Sequence, residues 1–335
     1  MTDTGLAEEG TTAPGLLPGS GASTRRRRQW LRQVGARLIQ LVMLLFAVST
    51  LMFFLLRLTG DPAVTLAGEN ATPDQLAAVR RQFGLDQSLA QQYGTFIGRA
   101  ARLDFGASVQ SGVDAFDQVL GRLPATLELA GLAVLLNLVI AIPLGAWIGS
   151  RADGRAQSMV SGAVFFAQGL PGYVVALVLI ELLAVKWQVL PSIGNATAAA
   201  FVLPTMSLAA FLVPRLTRVL STNVAEAMEE DFVRTARAAG ASRRTVIVRH
   251  VLPNALLGAA ALVGTQLSIL FSGALIIEVI FAWPGLGSLM IDSVRQLDFP
   301  IVEAAVFVIA ALVFATTVAT DGLLALLDPR LRRQR

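Results

Sequence analysis

The 335-residue sequence has no cysteine, one histidine (His250) and one lysine (Lys186). Without cysteine there are no disulfides, thiol nucleophiles or thiolate metal sites, and a lone histidine excludes zinc sites built on several imidazoles. An enzyme needs a nucleophile–base pair or a metal set, and the carboxylates that are left are scattered. The phosphate-cradling pattern G-x-x-x-x-G-K-[ST] is absent, the lysine lying in LLAVKWQVL. Charge is scarce as well: 15% of residues are charged and 54% are apolar, with mean hydropathy +0.64. Soluble chains carry roughly 25% charged residues, so an ordinary soluble domain is excluded. The net charge of +4 and pI near 10.5 come from bases beside long apolar runs, a pattern of membrane topology rather than of nucleic-acid binding. A proton-coupled carrier would place acids in mid-membrane chains and often shows an internal repeat; neither stands out.

Six apolar runs are present, each long enough to span a bilayer as a helix. Residues 1–33 form a basic head without periodicity, read as disordered and cytoplasmic. The first span is 34–56. The segment Arg27-Arg28-Gln29-Trp30-Leu31-Arg32 resembles a twin-arginine export signal, but the run after it is longer than a signal core and no small-x-small cleavage site follows, so an uncleaved helix is expected. Residues 57–122 are too polar to span and form an extracytoplasmic helical region. There Thr72 caps a helix with Pro73 at its first position and a Leu76, Val79, Phe83 stripe ending at Gly84, and a second helix is expected from Ser88 to Ala101.

Residues 123–329 hold the other five spans, and 330–335 form a basic tail. The second span, Leu127–Ile148, ends in Gly145-Ala146-Trp147-Ile148-Gly149, a small-xxx-small spacing suited to close helix contact. The third, Val160–Val185, is interrupted by Gly169-Leu170-Pro171-Gly172, a patch expected to face the bundle interior because uncovered non-helical backbone is not tolerated at membrane depth. The fourth, Phe201–Leu220, carries Pro204 and Pro214, with Arg215 and Arg218 at its cytoplasmic end. The fifth and sixth are Ala255–Phe281 and Val302–Leu327. Arginine excess at the head, at Arg151–Arg155, between the fourth and fifth spans and in the tail places both termini inside.

Polar residues within the apolar runs are the default functional candidates, because a charge costs at least ~2.5 kcal/mol at the bilayer centre. Glu278 is counted to the outer end of the fifth span, where water would reach it, and a gating or structural role is favoured over ligand binding. Asp321 lies near the cytoplasmic end of the sixth. Gln266, Ser268 and Ser272 could line a polar path or glue helices together. Pro284 and Gly285 begin the PGLG turn that follows the fifth span.

The most informative stretch is EAMEEDFVRTARAAGASRRTVIVRHVLPNALL, Glu226 to Leu257. It reads as two short helices about a turn at Gly240. The first opens with Glu229, Glu230 and Asp231 where the helix dipole favours acids, continues through Arg234 and Arg237, sets Glu230 and Arg234 at i and i+4, and lines up Phe232, Ala236 and Ala239 in a narrow stripe. Ser242 caps the second, which Pro253 interrupts.

Arg234-Thr235-Ala236, Gly240, His250 and Leu252-Pro253 resemble the EAA loop of ABC importer membrane subunits, with Arg234 in place of the motif's Glu and His250 in place of an aliphatic. RTARAAG, FGLDQSLAQQYGTF, LDFGASVQSG, RLPATLELA and FAWPGLGSLMIDSVRQLDFP resemble phrases of the dipeptide, oligopeptide and nickel permeases, the external ones those of B-type subunits. The resemblance covers about Gln33 to Pro329. It implies an all-α membrane protein with the type I ABC importer permease fold and six transmembrane helices, multi-pass in the cytoplasmic (inner) membrane. It also implies a homologous second permease subunit, two cytoplasmic ATPase subunits that hold ATP and Mg, and an extracytoplasmic solute-binding protein. No cofactor is expected on this chain and no nucleic acid partner. The loop 226–253 would then couple to the ATPase through Glu230, Asp231, Phe232, Arg234, Thr235, Ala236, Arg237, Gly240, Ala241, Leu252 and Pro253, while Gln266, Ser272, Glu278, Pro284 and Gly285 are pathway or gate candidates. Short peptides are the expected solute, with nickel or glutathione in the same family as alternatives.

Overall fold

The computed structural model describes residues 21–58, 62–68, 71–82, 84–151 and 154–327. Among the described residues the chain is helical throughout its regular structure, with one isolated bridge between Ala107 and Asp114. It divides into two units, residues 1–43 and 44–335. In the first, helix α1 (Gly21–Leu58) begins and exposes Leu38, Ile39, Val42 and Met43. The remainder of α1 belongs to the second unit.

The short helices between the first and second spans form where capping chemistry places them. After α2 (Pro62–Ala67), α3 (Pro73–Gln82) starts at Thr72, whose backbone N–H donates to Gln75 Oε1 at 2.8 Å. Leu76 and Val79 are half-buried on it, and Phe83 lies outside the described residues. Helix α4 (Leu89–Ala100) carries a complete capping box between Ser88 and Gln91. It packs on the end of α1: Tyr93 and Phe96 meet Phe53, Tyr93 shares a hydrogen bond with Thr50, and the Arg57 guanidinium lies 3.4 Å over the Phe53 ring while donating to Gln92 Oε1. Beyond α4, Arg99 donates twice to Asp104 and holds that carboxyl below the usual carboxylate range.

Helix α5 (Ala115–Gly149) is capped by Asp114 and includes Pro124 and Pro143. It therefore starts 12 residues before the apolar run that marks the second span; its first turns are amphipathic, burying Ala115 and Val119, which hydropathy alone does not register. Helices α6 (Arg155–Gln168) and α7 (Gly172–Leu179, continued as a π-helix through Lys186) meet at a 103° bend. The expected break at Gly169-Leu170-Pro171-Gly172 is thus present, but its expected burial is not. Gly169, Leu170 and Pro171 are exposed, and only Gly172 approaches α8 (Val202–Glu229), at Ser207. The elbow can stand open because its backbone is paired locally, Gly169 and Leu170 donating to Phe166 and Ala167 carbonyls and Val174 to Pro171.

A one-turn α10 (Arg243–Thr245) passes through a π-helical stretch, Val246–Val251, into α11 (Leu252–Ile280), and together they form one 38-residue helix. Pro253 does not interrupt it, against expectation. A proline lacks the N–H for the ordinary ladder and its ring strikes the carbonyl four residues back. The wide turn upstream re-spaces those carbonyls and carries the helix past the ring. Helices α12 (Leu286–Arg295) and α13 (Phe299–Leu327) complete the chain.

Five described helices are long and apolar enough to cross a membrane, and the bent α6–α7 pair makes a sixth span if it counts as one. Three buried clusters hold the second unit together. One joins α5, α7, α8 and α11 around Leu129, Leu212, Phe271 and Trp283; a second joins the segment after α4 to α12 and α13 through Phe105, Leu286 and Ile301; the third ties α8 to the segment after it through Leu220, Val224, Val233 and Val246. The tightest crossing is α5 on α8, where the Gly145/Gly149 spacing acts as expected. A Cβ on Gly145 would meet Leu220, and one on Gly149 would meet the Ser221 carbonyl and Val224. The backbones touch because there is no side chain between them.

Candidate coupling loop and outer anchor

The segment between the fourth and fifth spans is a compact base. Helix α8 runs through Glu229, so that residue closes α8 rather than opening the next helix; α9 is Asp231–Ala238 with Glu230 between them. Gly240 stands at φ +86°, and a paired motif closes α9: the Ala241 N–H donates to the Ala236 carbonyl and the Gly240 N–H to the Arg237 carbonyl. Ser242 then caps α10 by accepting from the Thr245 N–H. The turn and both caps agree with the sequence.

The buried face of α9 was not marked by the sequence stripe. Val233 is fully buried against Leu220, Val224 and Val246, with Ala236 half-buried beside it, while Phe232 and Ala239 point outward. The helix is only eight residues long and docks by its first turn, so one β-branched residue sets the face and the Phe232 stripe is left for solvent or a partner. Arg234 pairs with Asp231 at 3.2 Å rather than with Glu230, because Glu230 is extended at the cap and lies off the helix face. Thr235 donates to the Asp231 carbonyl. The outward surface of this base therefore carries Glu230, Asp231, Phe232, Arg234, Thr235, Arg237 and Gly240, whereas Ala241 and Leu252 are half-buried and Pro253 is exposed at the helix junction.

At the opposite end of α11, Glu278 has no exposed surface. It is not wet, as counting residues along the helix suggested; the PGLG turn folds back over it. One carboxylate oxygen accepts from the Thr126 hydroxyl at 2.7 Å, and the other from the Gly287 and Ser288 N–H groups at 2.7 and 3.2 Å. Thr126 in turn accepts from the Leu286 N–H at 2.8 Å. The carboxylate thus answers the unpaired donors at the start of α12. Its closeness explains the glycines: a Cβ on Gly285 would strike the Glu278 carboxylate, and one on Gly287 would strike Leu275. Trp283, also fully buried, donates from Nε1 to the Ala125 carbonyl at 3.0 Å and stands edge-on to Phe201. Pro284 lies between them in the same turn. Asp298 clamps the far end of α12, accepting from the Ser108 hydroxyl and from the Val109 N–H at 3.1 Å.

The other pathway candidates do not join this group. Gln266 is buried and works as glue, donating to the Leu212 carbonyl at 2.9 Å and accepting weakly from Asn137. Ser272 is exposed on another face of α11. Sequence reasoning missed Thr126 and Ser288 as partners of Glu278. Thr126 lies 152 positions away, and its one local mark was the RLPATLELA phrase.

Residues 141–333 match the family described as binding-protein-dependent transport system inner membrane component, and residues 30–130 match the N-terminal membrane component of such systems. The chain belongs to this family. The permease is 31% identical over 307 residues to the glutathione transport system permease protein GsiC of Escherichia coli (strain K12), covering 90% of this chain and 99% of that relative. The same values hold for GsiC of Shigella dysenteriae serotype 1 (strain Sd197). Two structures of the MetNI methionine ABC transporter in inward-facing conformations match the permease fold with TM-scores of 0.54 and 0.52. They are 20% and 19% identical and cover 63% of this chain and 96% of theirs, which supports the fold alone. The permease is thus a multi-pass inner-membrane subunit of an ABC importer, a transport component and not itself an enzyme.

Proposed function

We propose that this permease forms half of an ATP-driven import path for short peptides, glutathione among them, handed over by an extracytoplasmic binding protein. The observation that carries the reading is the base formed by α9 and the Gly240 turn. It is held rigidly by Val233 yet presents Phe232, Arg234 and Arg237 outward, the arrangement a docking helix needs. Both termini and this base lie in the cytoplasm. ATP and Mg are bound by two separate ATPase subunits, a homologous permease supplies the other half of the path, and closure of the ATPases pushes α9 and rocks the two bundles. Similarity to GsiC supports a peptide-like solute, since glutathione is a tripeptide; no feature of the chain favours nickel.

The test is to purify the tagged full chain in mild detergent and identify every co-purifying chain by mass. Expected are a second six-span chain and chains carrying Walker A motifs. A chain recovered alone or only with itself would overturn the assembly.

A further inference from the structure

Helix α8 carries two arginines that no contact described so far employs. Arg215 and Arg218 follow Phe211 at i+4 and i+7, so all three share one face. Arg215 lies 4.5 Å over the Phe211 ring and Arg218 5.9 Å over the Phe165 ring of α6. Among the described residues neither has a carboxylate partner. Arginines on a membrane-crossing helix face protein or a water-filled cavity rather than acyl chains.

Beside Arg218 a cavity of about 360 Å³ opens between α6 and α8, within the size range of small-molecule sites. Thr217, Arg218 and Ser221 line it from α8, and Ser161 and Phe165 from α6. Gly162 leaves space over its backbone, with nothing within 4 Å of where a Cβ would stand. Thr217 is fully buried and its hydroxyl has no hydrogen-bond partner. By contrast Ser207, Thr222, Thr265, Thr316 and Thr320 each donate to the carbonyl four residues back. A buried hydroxyl without a partner is costly unless something supplies one. A guanidinium on an aromatic face, with hydroxyls around it and no protein anion, is a receptor for an oxyanion.

Resting on the importer reading above, we infer that this face of α8 lines the solute path and that the Arg218 pocket receives a carboxylate of the passing solute. The same charges repel a free divalent cation, so the path selects carboxylate-bearing solutes over nickel ions. A phospholipid phosphate offers similar chemistry, and added phosphatidylglycerol distinguishes it from a solute.

The absence of cysteine makes the test clean. Ser161→Cys places one thiol in this chain at the pocket wall, in the full chain assembled with its co-purified subunits and reconstituted in phosphatidylcholine vesicles. Modification is read by mass with the anionic sulfonatoethyl and the cationic trimethylammonioethyl methanethiosulfonate. The anionic reagent is expected to react about tenfold faster than the cationic one, after correction for their rates with a free thiol, and Arg218→Gln should abolish that preference. Trialanine should slow the anionic reagent, and trialanine amide should not. No reaction with either reagent, a preference that survives Arg218→Gln, or equal protection by acid and amide would overturn the inference. So would protection that appears only when phosphatidylglycerol is added, which would give the pocket to a lipid headgroup. None of these outcomes touches the co-purification result, so the importer reading stands or falls separately.

Discussion

A carboxylate with no exposed surface is tolerable at Glu278 because donors converge on both of its oxygens, from Thr126 on one side and the first N–H groups of α12 on the other. A charged acceptor shared by these donors makes hydrogen bonds roughly twice as strong as neutral ones. Replacing it by an amide keeps one accepting oxygen and turns an NH2 group either toward the Gly287 and Ser288 N–H groups, which only donate, or toward the Thr126 hydroxyl, which already accepts from Leu286. Glu278→Gln is therefore expected to cost about 1.5–3 kcal/mol, read as a lower thermal unfolding midpoint of the detergent-purified full chain. A midpoint unchanged from the parent would mean that the carboxylate does not anchor α12. The sequence marked Glu278 as unusual but placed it in water. Rise per residue gives the position along one helix and says nothing about which distant segment folds over it.

At the scale of elements, punctuation was more legible than packing. Thr72, Ser88, Ser242 and Gly240 act through bonds to neighbours a few residues away, and all four were readable. Pro253 was misread and the Val233 face went unmarked because each depends on a longer reach: a π-turn that absorbs the proline, and a docking surface on α8. The GLPG elbow was legible as a break but not as an exposed one, since its Gly169 and Leu170 N–H groups and its Pro171 carbonyl are paired with near neighbours. Gly240 offers the sharpest test at this scale. A Cβ there would meet nothing within 4 Å, so the cost of a larger residue comes from φ +86° alone. Gly240→Val should strain the turn by about 1–2 kcal/mol or more, leave the spans folded, and uncouple ATP hydrolysis from uptake in vesicles containing the assembled transporter. Coupling equal to the parent would remove this loop from energy transfer.

For the whole molecule, the apolar runs and the family resemblance carried the architecture, and the six runs correspond to five long helices and one bent pair. Side-chain depth was not available from them. Arg215 and Arg218, read from the sequence as the cytoplasmic end of the fourth span, lie on α8, which continues as a helix to Glu229. The 38-residue helix from Arg243 to Ile280 has a comparable hidden reach. It is about 55 Å long, and its two ends are tied to different business: the Ser242 cap and Val246 contact at the base, and the Glu278 clamp on α12 at the top. With no proline break along it, displacement at one end has little room to dissipate before the other. In the orientation proposed here, α12 is then a handle on the extracytoplasmic side of the inner membrane. A compound wedged between α12 and α11 would stall the import motor without ever crossing the membrane.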